Sequence, residues 1–177
     1  MQYTFETGYN KKTLSVMARC IRKTVRKSRS KRSHIFGWIV IVLAMLLSFR
    51  SGEEGFVLSA NTLVTWAAVL VMLLTLLFED SINGYFAGKR MLKGTETAVS
   101  FFDTENRETF RSETPIGKSE FSYQSILLIC ETKQFFVFVF SSSHAQIYDK
   151  ATLSGGSVES FRDFLTGVTG KSIVNVT

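Results

Sequence analysis

The residues that could carry chemistry are few and scattered. Two histidines, His34 and His144, stand on either side of a long apolar stretch. Two cysteines, Cys20 and Cys130, have no metal-ligand spacing, and both are expected to be reduced thiols. No H-E-x-x-H, G-x-S-x-G, paired C-x-x-C or dinucleotide-type glycine pattern occurs. Gly170-Lys171-Ser172 imitates the end of a phosphate loop. That loop needs glycine where this chain has Leu165, and the segment follows a helical pattern rather than a strand. Asn175-Val176-Thr177 fits a glycosylation sequon. Glu131 and Lys150 could serve as an acid–base pair, but their positions fit hairpin and sheet-edge charges better. The expectation is a protein without catalytic residues, metal or cofactor, and not an enzyme.

The chemistry that does show a pattern is electrostatic. The formal net charge is +6 and the pI about 9.4. Residues 1–34 carry ten Lys or Arg against the single acid Glu6, so this excess is local. Within it, Leu14, Met17, Ala18, Ile21 and Val25 fall at i, i+3, i+4, i+7 and i+11, one face of a helix. Basic residues fill the other positions. A basic amphipathic helix of this kind adsorbs to anionic lipid headgroups, here through Lys11, Lys12, Arg19, Arg22, Lys23, Arg26 and Lys27. The alternative is a topology signal with no further role. Nucleic acid is not an expected partner, because no aromatic residues interleave the basic ones.

Such a block takes its place from the apolar stretch on its C-terminal side. Ile35 to Phe49 is an uncharged run of 15 residues, and Phe56 to Phe78 one of 23. Arg50 to Gly55 links them. At 1.5 Å per residue the runs would be roughly 22 and 34 Å long, against a hydrocarbon core of about 30 Å. The pattern predicts a two-helix transmembrane hairpin, the first helix needing Arg32 and Arg50 to snorkel. The positive-inside rule then places the chain in the cell membrane as a multi-pass protein with both termini cytoplasmic. Neither run has an ionisable group in its interior, which argues against an ion path. Asn61 is its only amide, near the outer end.

The predicted organisation is a basic N-terminal segment (1–34), the hairpin (35–78), a helical connector (79–94) and a C-terminal β domain (95–177). In the connector Gly84 and Gly88 weaken the helical spacing. In the last segment the period shifts towards two. Strands are expected at 97–103, 108–113, 120–123, 125–131, 135–140 and 145–150. Ser157 reads as an N-cap with Glu159 in the first turn of a helix striped by Val158, Phe161, Phe164, Leu165 and Val168. Phe136 and Phe138 should face that helix, and Phe135, Val137 and Val139 the opposite side. The fold class expected is an α+β membrane protein, its hairpin followed by one antiparallel sheet covered by a C-terminal helix.

Residues 123–165 resemble the YcxB-like family. The resemblance rests on Tyr123 and Ile126, Glu131-Thr132, the aromatic strand Phe135–Phe140, Lys150, Gly155 or Gly156, and Phe161 with Leu165. It implies a basic segment, two spans and a C-terminal domain, and carries no catalytic residues with it. The sheet-and-helix layout is also similar to pleckstrin-homology-like domains. Two functions are expected from all this. One is a membrane-tethered cytoplasmic interaction or regulatory module with an unidentified protein partner. The other is a binder of anionic lipid headgroups. Self-association into a homo-oligomer stays open.

Overall fold

The computed structural model describes residues 1–49, 60–91 and 93–176. The chain opens on strand β1 (Gln2–Gly8), then helices α1 (Lys11–Lys23), α2 (Lys27–Phe49), α3 (Ala60–Leu77) and α4 (Glu79–Arg90). Strands β2 (Thr97–Asp103), β3 (Thr109–Thr114), β4 (Gly117–Ser122), β5 (Leu128–Glu131), β6 (Phe135–Val139) and β7 (Ala145–Asp149) come next. Helix α5 (Val158–Thr169) and strand β8 (Ile173–Asn175) complete it.

The strands form two four-stranded sheets rather than the single one expected. The first has the order β1-β2-β3-β4 and is antiparallel throughout. Tyr3 and Phe5 alternate with polar residues on β1, so one face of that strand is buried, and it pairs with β2 in register Phe5↔Ser100. The second sheet has the order β7-β6-β5-β8, with β8 parallel to β5. The two sheets close on a shared core. Phe5, Phe102 and Phe110 of the first sheet pack there with Ile129, Phe136, Phe138 and Tyr148 of the second, and with Phe161 and Leu165 of α5. The Phe5 and Phe161 rings lie 4.8 Å apart, and those of Phe136 and Phe161 5.4 Å. Ser157 caps α5 in a reciprocal box with Ser160, and Gly170 ends it at φ +64°, a left-handed turn that glycine adopts freely.

The opposite face of the second sheet is equally apolar, and a different helix covers it. Val137, Val139 and Ile147 pack there with Cys20 of α1, and Val16, Met17 and Ile21 lie against them. Met17 and Ile21 of the predicted stripe are thus docked inside the protein, whereas Val25 lies beyond the end of α1 and is exposed. Residues 1–23 supply a sheet strand and a covering helix, so the N-terminal segment and residues 95–177 share their cores.

The fold class and placement expected for 35–78 are corrected. Among the described residues no single helix is long and apolar enough to cross a membrane. The first turns of α2 hold Lys27, Arg29, Lys31 and Arg32, which leaves only its 15-residue apolar end. Helix α3 has 18 residues, and the stretch Thr62–Leu77 meets α4 at 80°. This overturns the transmembrane hairpin, and with it the multi-pass cell-membrane placement with both termini cytoplasmic. Hydropathy reports composition, and it carries no information about where a helix begins, ends or bends. In the structure α2 and α3 pair with each other. Leu76 lies so close to Gly37 that a Cβ there would meet its Cδ1 at 2.9 Å. Ile41 is buried, while Trp38, Leu46, Val64 and Leu70 remain exposed. The link at 50–55, the start of the second run at 56–59, the side chain of Asn61, Leu92 of the connector and Thr177 of the sequon lie outside the described residues.

Candidate functional site

The basic residues of α1 and α2 are positioned by α4. Asn10 caps α1 in a reciprocal box with Thr13, which starts the helix directly after β1. On α4, Gly84 and Gly88 form a small-residue face four residues apart. A Cβ at Gly84 would meet the Ser15 backbone nitrogen at 2.7 Å, and one at Gly88 would meet Leu14 Cδ1 at 3.3 Å. These glycines are thus where α1 lies against α4, a role their weakening of the helical spacing does not reveal. The first turn of α4 carries Glu79 and Asp80, where carboxylates suit the helix dipole. Arg22 donates to Asp80 through Nε and Nη2, both at 2.7 Å, and lies 3.7 Å from Glu79. Arg19 reaches Asp80 at 3.5 Å, and His34 Nε2 is 3.6 Å from Glu79. The bond to Asp80 raises the Arg22 pKa further above its ordinary value.

The seven residues expected to touch lipid therefore divide. Arg19 and Arg22 are engaged by α4. Lys12 lies over the Phe135 ring at 6.0 Å, and Lys11 is exposed in the first turn of α1. Lys23, Arg26 and Lys27 stand together at the α1–α2 junction, exposed to solvent. Arg29, Lys31 and Arg32 extend that group along α2 and are exposed as well. The site expected from sequence leaves out these three, although the charge run continues through them.

The junction forms a basic ridge between two clefts. On one side a cleft of about 620 Å³ lies between the ridge, α4 and the turn joining β6 to β7. The ridge contributes Arg22, Arg26, Arg29, Ser30 and Ser33 to it. From α4 come Asn83 and Arg90, and from the turn Ser142, Ser143 and His144. Among the described residues Glu79 is the only carboxylate in its lining. On the other side a cleft of about 550 Å³ has Lys23, Lys27 and Lys31 along one helix face, with His34 and the C-terminal residues Val174 to Val176. No acidic residue occupies the first turn of α2, so cationic side chains crowd the positive end of its dipole. That arrangement is self-repelling, and a bound anion relieves it.

Other residues singled out in the sequence have structural roles. Glu131 and Lys150 do meet, at 2.5 Å, and Arg162 of α5 adds a two-pronged contact to the same carboxylate at 2.8 and 3.0 Å. The bond from Arg162, with that from Lys150 second, holds the Glu131 pKa below its ordinary value. Lys150 also donates to the Thr132 carbonyl, so this cluster ties α5 and β7 to the β5–β6 hairpin. Lys171 donates to the Ile126 carbonyl and Gly170 caps α5, which accounts for the residues that imitate a phosphate loop. Cys20 and Cys130 are buried in the same core, and the neighbouring Cys130 thiol together with burial raises the Cys20 pKa well above its ordinary value. His34 and His144 line different clefts. Among the described residues no three His, Cys, Asp or Glu side chains gather as a metal site.

Comparison with family models, with curated proteins and with solved structures finds no match to this chain. Neither the expected YcxB-like family nor the pleckstrin-homology-like layout gains support from them, and the single sheet on which that layout rested is two.

Proposed function

We propose that this protein is a non-catalytic binding module that holds an anionic partner against its α1–α2 ridge. The observation that carries the reading is the division of α1. Its Met17 and Ile21 are docked on the second sheet and Arg19 and Arg22 are held by α4, while the cations from Lys23 to Arg32 are displayed outward. A surface built in this way attracts negative charge over distances set by salt screening. The edge strand β4, also exposed, presents Lys118 and Glu120, charges of opposite sign that discourage strand addition. Anionic lipid headgroups are one source of the charge the ridge recognises, and the tether expected from the sequence has no part in this reading.

The test is sedimentation of the full chain with vesicles of phosphatidylcholine, with and without phosphatidylglycerol. Binding should require the anionic lipid and weaken at high salt. The triple variant Lys23→Glu, Lys27→Glu, Lys31→Glu should lose that salt-sensitive component, while Lys118→Glu should keep it. Equal binding by the triple variant and the parent would contradict the proposal.

A further inference from the structure

We infer that the cleft between the ridge, α4 and the β6–β7 turn is a discrete site for a terminal phosphate group, a phosphate monoester or pyrophosphate. This deepens the reading above and rests on it. Arg22 is already bonded to Asp80 and lies beside Glu79, so the one carboxylate in the lining has its counter-charge. Among the described residues the side chains of Arg26, Arg29 and Arg90 make no ion pair or hydrogen bond, although all three line the same concavity. Three cations left unpaired around one cleft repel each other, and an anion of high charge density removes that repulsion. Guanidinium groups suit phosphate because their forked donors match pairs of its oxygens.

The walls argue for phosphate over carboxylate. A carboxylate is planar, and one arginine fork satisfies it. A terminal phosphate presents three oxygens in different directions and needs donors from several sides. Here donors come from three separate elements: Ser33 and Arg29 on α2, Asn83 and Arg90 on α4, and Ser142 with His144 on the turn. The start of α2 adds a positive dipole end to the same side. A volume of about 620 Å³ falls in the range of sites for small molecules, so the phosphate would be carried on a headgroup or a small metabolite.

The experiment titrates the full chain with pyrophosphate, and in parallel with vesicles of phosphatidylcholine containing phosphatidic acid, a lipid monoester. Two variant pairs remove the same charge from exposed positions: Arg29→Gln with Arg90→Gln inside the cleft, and Lys118→Gln with Lys133→Gln, which line neither cleft. Pyrophosphate should bind the parent saturably. Losing two charged hydrogen bonds should weaken it at least about tenfold in the arginine pair, and less than about threefold in the lysine pair. If phosphatidic-acid vesicles show the same selective loss, the phosphate is a lipid's; if only pyrophosphate does, the ligand is a soluble one. Equal weakening by both pairs would overturn the discrete site and leave diffuse attraction to the chain's net charge. So would anionic vesicles that bind while pyrophosphate does not. Failure of both probes to bind would overturn the site and the broader reading together.

Discussion

Glu131 shows how a single side chain comes to fasten three elements. Its carboxylate is 9% exposed and accepts bonds from Lys150 and Arg162. Replacing it with Gln keeps the shape but leaves two cations facing a neutral amide. Glu131→Gln should therefore destabilise the fold by about 2–3 kcal/mol at neutral pH, the range for lost charged hydrogen bonds. The folded-state pKa of Glu131 lies below its ordinary value. Its contribution is thus complete above the unfolded pKa and disappears as pH falls through the folded one. The gap in melting temperature between parent and Glu131→Gln should narrow in acid, and a gap that stays constant would show that the carboxylate's charge is irrelevant. The thiols give a second residue-scale test. Cys20 and Cys130 are fully buried, so alkylation by iodoacetamide should be negligible in the native protein and rise with denaturant. At this scale the sequence was partly legible. Alternation along β6 placed Phe136 and Phe138 on the side of α5 and Val137 on the other, because period two is a local property. The partnership of Arg22 with Asp80 was hidden, since 58 positions separate them and only the packing of α1 on α4 brings them together.

At the scale of elements, an amphipathic pattern identifies a helix but does not identify what covers it. The stripe of α1 would serve equally against lipid or against a sheet, and the apolar outer face of the second sheet is what decides. Likewise, the length and bend that overturn the transmembrane hairpin are set by packing and chain turns, and apolar content alone is silent on both. Gly84 provides a test with opposed signs. In an isolated helix, Gly→Ala is favourable by about 1 kcal/mol. In this fold the added Cβ would press on the Ser15 backbone at under 3 Å and push α1 off α4. Overpacking of that kind costs about 1–3 kcal/mol. Gly84→Ala should therefore lower the melting temperature and weaken anion binding by shifting the ridge. A raised melting temperature would mean that the α1–α4 contact is looser than the structure shows.

At the scale of the molecule, the chain is closed by its own beginning. β1 fills the edge of the first sheet beside β2, and α1 seals the second. Residues 95–177 alone would expose Phe102 and Val137 and leave the β2 edge unpaired. That fragment should show no cooperative unfolding transition, whereas the full chain should; a cooperative fragment would contradict the shared core. The same closure fixes the ridge relative to the β6–β7 turn and so makes a cleft out of residues far apart in sequence. The central claim is that an anionic partner sits there. Hydrogen exchange of the full chain, measured with and without phosphatidic-acid vesicles, locates the contact directly. Slowed exchange is expected at residues 23–33 and 142–145, with β4 unchanged. Protection confined to other segments, with residues 23–33 exchanging as before, would contradict the account.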